Sequence, residues 1–226
     1  MKQYALIVAG GSGQRMKSEI PKQFLELNGR PILMHTLDKF ILANPQISLI
    51  LVLPQANLSL WEELCIQHNF LHPHQIVIGG VSRFQSVQKG LSSCKKQGFI
   101  SIHDGVRPLV SPELILNLYR SAKEKESAIP VCPMVESIRM IEGNESSATD
   151  RRAFVSVQTP QCFSSELIKR AYLQEEQPHF TDDASVIEAL GEKVYSIPGE
   201  ADNIKITRPI DVIIAEQLLN DSLIKD

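Results

Sequence analysis

Residues 4–16 read YALIVAGGSGQRM, and the rest of the chain is best understood from this stretch outward. An apolar, partly β-branched run without polar alternation belongs to a strand covered on both faces, as in the parallel sheets of α/β proteins. The run empties into Gly10-Gly11-Ser12-Gly13, a loop whose backbone N–H groups can approach and cradle an anion. Similar runs recur as ISLILVLP (47–54), QIVIGG (75–80), FISIHD (99–104) and AIPVCPMV (128–135). Helical patterns fall between them over 33–40, 58–68, 83–96 and 112–125. This alternation predicts an α/β fold, a Rossmann-like, mostly parallel sheet with helices on both faces and all strand C-termini at one edge. Ser111 is the predicted cap of the fourth helix, with Pro112 in its first position and Glu113 in its first turn.

The rhythm breaks over 136–161. SIRMI (137–141) and AFVSVQTP (153–160) read as strands and the polar EGNESSATDRR (142–152) as their connection. A two-stranded ribbon is not stable alone, so this projecting β-arm is expected to pack on a second copy of the chain. Beyond it, 164–175, 182–190 and 209–219 read as helical, and KVYSIPG (193–199) and NIKI (203–206) as extended. Nothing resembling a linker divides residues 1–226, which are expected to form one domain.

With 226 residues, 43% of them hydrophobic and 22% charged, the chain can bury a full core without disulfides. Its formal charge of -3 gives no global footprint for nucleic acid. Anionic ligands would have to be held by local cations. The sequence carries neither a secretory signal nor an apolar run of roughly 20 residues, so a cytoplasmic protein without membrane contact is expected. Cys65, Cys94, Cys132 and Cys162 lack metal-site spacing and read as reduced thiols. His68, His72 and His74 read as a solvated loop rather than a metal clip.

Three places carry chemistry. After the first strand, Arg15 and Lys22 follow the glycine loop, and both could reach one phosphate chain. The loop lacks the third glycine of a dinucleotide fingerprint, where Met16 stands, and the second strand ends in Pro54-Gln55 without a ribose-binding acid. These features disfavour an NAD-dependent oxidoreductase, and no Walker G-K-[ST] is present. Next, FISIHD puts Asp104 at the carboxyl edge of the sheet, where ligands of open α/β folds bind. A carboxylate there suits Mg²⁺ or another divalent cation, with a turn cap as the alternative, and Arg107 follows on the same turn. His103, one residue earlier, faces the other way and can simply pack. Last, Lys205 interrupts an apolar strand and needs a partner, either a bound phosphate or solvent at the strand end. Thr181-Asp182-Asp183 reads first as a helix cap.

Taken in order, GGSGQRM, PKQF, Gly79-Gly80 with Ser86 beyond, HDGVRP, the Asp150-Arg151 and TPQ of the arm, TDDAS and NIKITRP strongly resemble the methylerythritol phosphate cytidylyltransferase family of the isoprenoid pathway. The resemblance implies a nucleotidyltransferase fold of the glycosyltransferase-A type and transfer of CMP from CTP to a polyol phosphate. It implies that Arg15, Lys22 and Lys205 surround the reacting phosphates, and that Gly10, Gly11, Gly13, Gly80 and Ser86 bind the nucleotide. Asp104 and Arg107 would lie near metal and substrate. Thr159, Thr181 and Lys205 would contact the polyol phosphate, together with Ser137, which stands where a Thr is common, and with Arg151 reaching in from the partner arm of a homodimer. Val81 departs from the acidic or polar residue that often follows the glycine pair. Ribitol 5-phosphate cytidylyltransferases share these motifs. A non-catalytic nucleotide-binding module would have no need of so many cations around the phosphates.

Overall fold

A computed structural model of the chain describes residues 1–11 and 20–224, the last four in backbone only. The first strand, β1 (Lys2–Val8), sits in the middle of the main sheet. It pairs in parallel with β4 (Ser48–Leu53) on one side and with β6 (Gly98–Asp104) on the other, and β5 (Gln75–Ile78) extends the sheet beyond β4. Side chains alternate across a strand, and the two faces of β1 enter two different cores. Ala5 and Ile7 join one cluster with α1 (Ile32–Ala43), α2 (Leu58–Gln67) and α4 (Pro112–Lys125). Tyr4 and Leu6 join another with α3 (Arg83–Ser93), α5 (Ser165–Ala171) and α6 (Asp183–Glu188). Burial on both faces is why the strand is uniformly apolar. A third, smaller cluster seats the final helix α7 (Pro209–Ile224) on a hairpin of β2 (Glu26–Leu27) and β3 (Arg30–Pro31). That hairpin turns at Asn28-Gly29, both at positive φ, as a two-residue connection requires.

The mostly parallel α/β sheet with helices on both faces is as expected, but not every strand runs one way. β7 (Ser127–Pro133) keeps the common direction, and β12 (Ser196–Pro198) lies parallel to it. Between β6 and β7, however, lies β11 (Gln161–Ser164), antiparallel to both. Its four residues are too short to declare a strand in sequence.

The arm also differs from its reading. Its second strand is not AFVSVQTP but β9 (Glu145–Thr149), within the polar stretch read as a connection, paired antiparallel with β8 (Ile138–Glu142). Both strands are largely exposed, so β9 has no buried face to impose an apolar pattern. AFVSVQTP instead leaves a short 3₁₀ turn at Arg151–Ala153 and returns to the main sheet as β10 (Val155–Val157), antiparallel to β7. NIKI forms no strand. It is a coil held by Ile206 N–H donating to Val106 O at 2.9 Å.

The helix caps follow the sequence. Ser111 Oγ accepts from Leu114 N at 2.9 Å at the start of α4. Asp182 and Ser185 form a reciprocal capping box at α6. All four cysteines are free. His74 accepts from Trp61 Nε1 at 3.0 Å, and His72 lies 3.7 Å from Asp38. Among the described residues no three or more His, Cys, Asp or Glu cluster as a metal site would need. No described helix is long and apolar enough to cross a membrane.

Candidate active site

The C-terminal ends of β1, β5 and β6 open at one edge, because the parallel register sets Val8 level with both Val52 and Asp104. Above β5 the chain is drawn tight into α3. Ser86 Oγ accepts from Gly80 N at 3.0 Å and donates to Ser82 O at 2.8 Å, while Ser82 caps the helix. Gly80 packs so closely that a Cβ there would lie 2.3 Å from Gln85 Cβ. A cavity of about 220 Å³ results, lined by Gly10, Gly11, Lys22, Gln23, Gly80, Ser86 and others. Lys22 Nζ donates to Ile206 O at 3.2 Å, which ties the segment after the glycine loop to the segment before α7. Gln23 is buried in this wall. Its Nε2 donates to Ala9 O, and its Oε1 finds no hydrogen-bond partner among the described residues.

Asp104 is the hub. Its backbone N–H donates to Thr159 Oγ1 at 3.1 Å, and the Thr159 hydroxyl donates to His103 Nδ1 at 3.0 Å. His103 Nε2 then meets Arg107 O at 3.1 Å. A carbonyl can only accept, so Nε2 carries the hydrogen. Burial pushes the His103 pKa down to about 3, and the ring is a neutral packing and hydrogen-bonding element. The Asp104 carboxylate receives Lys205 Nζ at 2.8 Å and, more loosely, Arg107 Nε at 3.5 Å. Burial alone would raise its pKa, but Lys205 and then Arg83 hold it below the usual carboxylate range. Arg107 Nη1 also donates to Asn203 O at 2.7 Å. This bond and the Ile206–Val106 bond are what bring Lys205 to the end of β6.

A second cavity of about 280 Å³ opens on the other side of this hub, lined by Arg107, Gln158, Thr159, Gln161, Thr181 and Asp182 among others. Arg83, Asp104 and Lys205 line both cavities. The site is therefore two anion-sized compartments that share a wall of two cations and one carboxylate.

Of the sequence candidates, Gly10, Gly11, Lys22, Gly80 and Ser86 meet in the first compartment, Arg107, Thr159 and Thr181 in the second, and Asp104 and Lys205 between them. Lys205 departs from its expected setting. Its side chain is 43% exposed and already paired with Asp104, because NIKI is a coil that buries Asn203 and Ile206 and turns Lys205 outward. Ser137 and Arg151 are exposed at the base of the arm, with Arg151 donating to Val135 O, and line neither compartment. Gly13 and Arg15 lie outside the described residues. Val81, at the departure from the family pattern, is 96% exposed at the mouth.

Two residues escaped sequence reading. Gln23 gave no signal beyond its place after Lys22. Arg83 did give one, since a cation in the first turn of a helix opposes the macrodipole and so needs another reason to be there.

A sequence profile of the 2-C-methyl-D-erythritol 4-phosphate cytidylyltransferase family matches residues 3–221. The chain belongs to that family. It is an enzyme, a cytidylyltransferase, and its family acts in isoprenoid biosynthesis on the polyol phosphate of its name. Curated cytidylyltransferases of the family include that of Bacteroides fragilis, 48% identical over 95% of this chain and 98% of its own length. That of Bacteroides thetaiotaomicron is 46% identical over 97% and 100%. Among solved structures, the 4-diphosphocytidyl-2C-methyl-D-erythritol synthase of Anaerococcus prevotii superposes with a TM-score of 0.83 at 29% identity, covering 97% of this chain and 96% of its own. The 2-C-methyl-D-erythritol 4-phosphate cytidylyltransferase of Thermus thermophilus gives 0.75 at 29%, over 96% and 98%.

Proposed function

We propose that the chain transfers CMP from CTP to 2-C-methyl-D-erythritol 4-phosphate, giving 4-diphosphocytidyl-2-C-methyl-D-erythritol and pyrophosphate, with the two compartments as the two substrate sites. The wall that they share carries this reading. Two polyanions must meet there, and Lys205 offsets the repulsion between them while Arg83 shapes the wall.

The first compartment takes the nucleotide. Gly10, Gly11 and Gly80 line it, Ser86 holds the Gly80 loop through the Gly80 amide, and Gly13, Arg15 and Lys22 serve the triphosphate. The second takes the polyol phosphate, with Arg107, Thr181 and Lys205 toward its anion. Thr159 shapes the wall, because its hydroxyl hydrogen is already committed to His103. A phosphate monoester is ionised at neutral pH, so its oxygen can attack the α-phosphorus of CTP without a general base, expelling pyrophosphate in line. Alignment and charge stabilisation then supply the acceleration.

The ionised, buried Asp104 fits Mg²⁺, which prefers one or two carboxylates supplemented by phosphate oxygens over an all-protein cage. Bound there, Mg²⁺ or another divalent cation would offset triphosphate charge. The exposed arm supports a homodimer in which Ser137 and Arg151 complete the polyol-phosphate compartment of the other copy. One domain over residues 1–226 and a cytoplasmic setting agree with this soluble-substrate chemistry.

Pyrophosphate release from CTP and Mg²⁺ is the test, with methylerythritol phosphate and ribitol 5-phosphate offered separately. Release with the first is expected. Release with ribitol phosphate alone would move the chain to the ribitol reading, and CTP binding without turnover of either would make it a nucleotide-binding module.

A further inference from the structure

Arg83 opens α3 just beyond the glycine pair, and Asp183 opens α6 just beyond Thr181-Asp182. Their side chains meet in a two-bond fork, Nη1 to Oδ1 at 2.9 Å and Nη2 to Oδ2 at 2.6 Å. Asp183 is fully buried and also accepts the Tyr172 hydroxyl at 2.6 Å. Behind it, Gln161 donates to Asp182 Oδ2 at 2.8 Å and accepts from Ala184 N at 2.9 Å, which anchors the start of α6 to β11. A planar guanidinium matches a carboxylate in fixed geometry. The fork therefore sets one distance, that between the loop carrying Gly80 and the loop carrying Thr181. The same guanidinium lines both compartments and faces Asp104 across them.

We infer that Arg83 is a positioning residue for the transfer, its fork with Asp183 acting as a strut that sets the spacing between the nucleotide and polyol-phosphate compartments. The inference rests on the transfer reading above. In-line attack needs the reacting atoms within about 3–3.5 Å and aligned. A slack strut should consequently slow the chemistry and weaken productive binding of the polyol phosphate while leaving CTP to bind on its own loop. A staple that merely holds α6 in place would lower thermal stability and leave the kinetics of the folded protein unchanged.

The experiment uses the full chain with Mg²⁺, measuring kcat and KM by pyrophosphate release, CTP affinity by calorimetry without polyol phosphate, and Tm. Wild type is read first, and no release with either polyol phosphate would overturn the transfer reading and the inference with it. Arg83→Lys keeps the charge but not the fork. We expect kcat to fall at least about tenfold and the polyol-phosphate KM to rise, with CTP affinity within about threefold of wild type. Asp183→Asn is expected to give the same split. The double variant should lose no more than the worse single, because two halves of one strut are not additive. Tyr172→Phe removes a bond to Asp183 without touching the fork, and should show the split in milder form if Arg83→Lys or Asp183→Asn fails to fold. Wild-type kcat and KM in a folded variant, whatever its Tm, would overturn the inference. So would a loss of CTP affinity beyond about tenfold at unchanged kcat, which would make Arg83 a nucleotide ligand.

Discussion

His103 lies one bond away from the chemistry and takes no charge. Its ring is buried against Phe40, with centroids 5.2 Å apart, and it orients Thr159, which in turn holds the backbone of Asp104. The sign of the resulting pH dependence follows directly. The ring titrates at 6.5 when unfolded and near 3 when folded. Between those values the unfolded chain binds a proton that the folded chain refuses. The stabilisation is complete above pH 6.5 and drains away as pH falls through this window, at up to about 1.4 kcal/mol per pH unit. The Asp104 carboxylate adds a loss of the same sign at still lower pH. Urea unfolding between pH 7.5 and 4.5 should therefore show a shallower pH slope for His103→Gln than for wild type, by up to one proton. Equal slopes would mean that His103 is not the group responsible. At Lys22 the expectation is kinetic. Lys22→Ala should lower kcat roughly 10²- to 10³-fold, as loss of a transition-state anion contact does, with the protein still folded by circular dichroism. Asp104 and Lys205 were visible as isolated residues in sequence. Their ion pair was not, because no local pattern tells which loops a sheet edge will gather.

At the scale of elements, legibility followed burial. β1, β4 and α4 face the core with apolar residues and carry clear caps or turns, so their sequences declare them. β9 has no buried residue and β11 is short, and neither had to satisfy a pattern. The start of α6 falls between these cases. Its cap was readable as Thr181-Asp182-Asp183, yet the use of Asp183 to grip α3 was not. Asp182→Ala should break the capping box and the Gln161 bond together, lowering unfolding free energy by about 1–2 kcal/mol. Chemical denaturation would measure it, and a change below a few tenths would mean that the cap is redundant.

Across the whole molecule, apolar surface concentrates around the arm. Met140 and Ile141 on β8, and Val135, Phe154, Val155 and Val157 at its base, are each 42% exposed or more. A monomer rarely leaves such a patch uncovered, and the proposed homodimer would cover it. Excising residues 138–149 in favour of a short glycine linker should leave a folded core, since among the described residues that hairpin pairs only within itself in the sheet topology. Sedimentation should then find monomer where wild type gives dimer, with turnover falling at least about tenfold as the partner's Arg151 is lost. Full activity in a monomeric variant would remove the arm from catalysis.

The reversed strand β11 bears on how the chain is made. On the ribosome β6 and β7 emerge before the strand that separates them in the finished sheet. Until residue 164 is synthesised, the flank of β6 that β11 will cover remains an open edge, a template for wrong pairing. The glycine-lined half, built on β1, β4, β5 and α3, requires none of that later chain in its sheet. A nascent polypeptide would thus assemble its nucleotide side first and acquire the acceptor side last, and the interval between them is where a chaperone would have the most to protect.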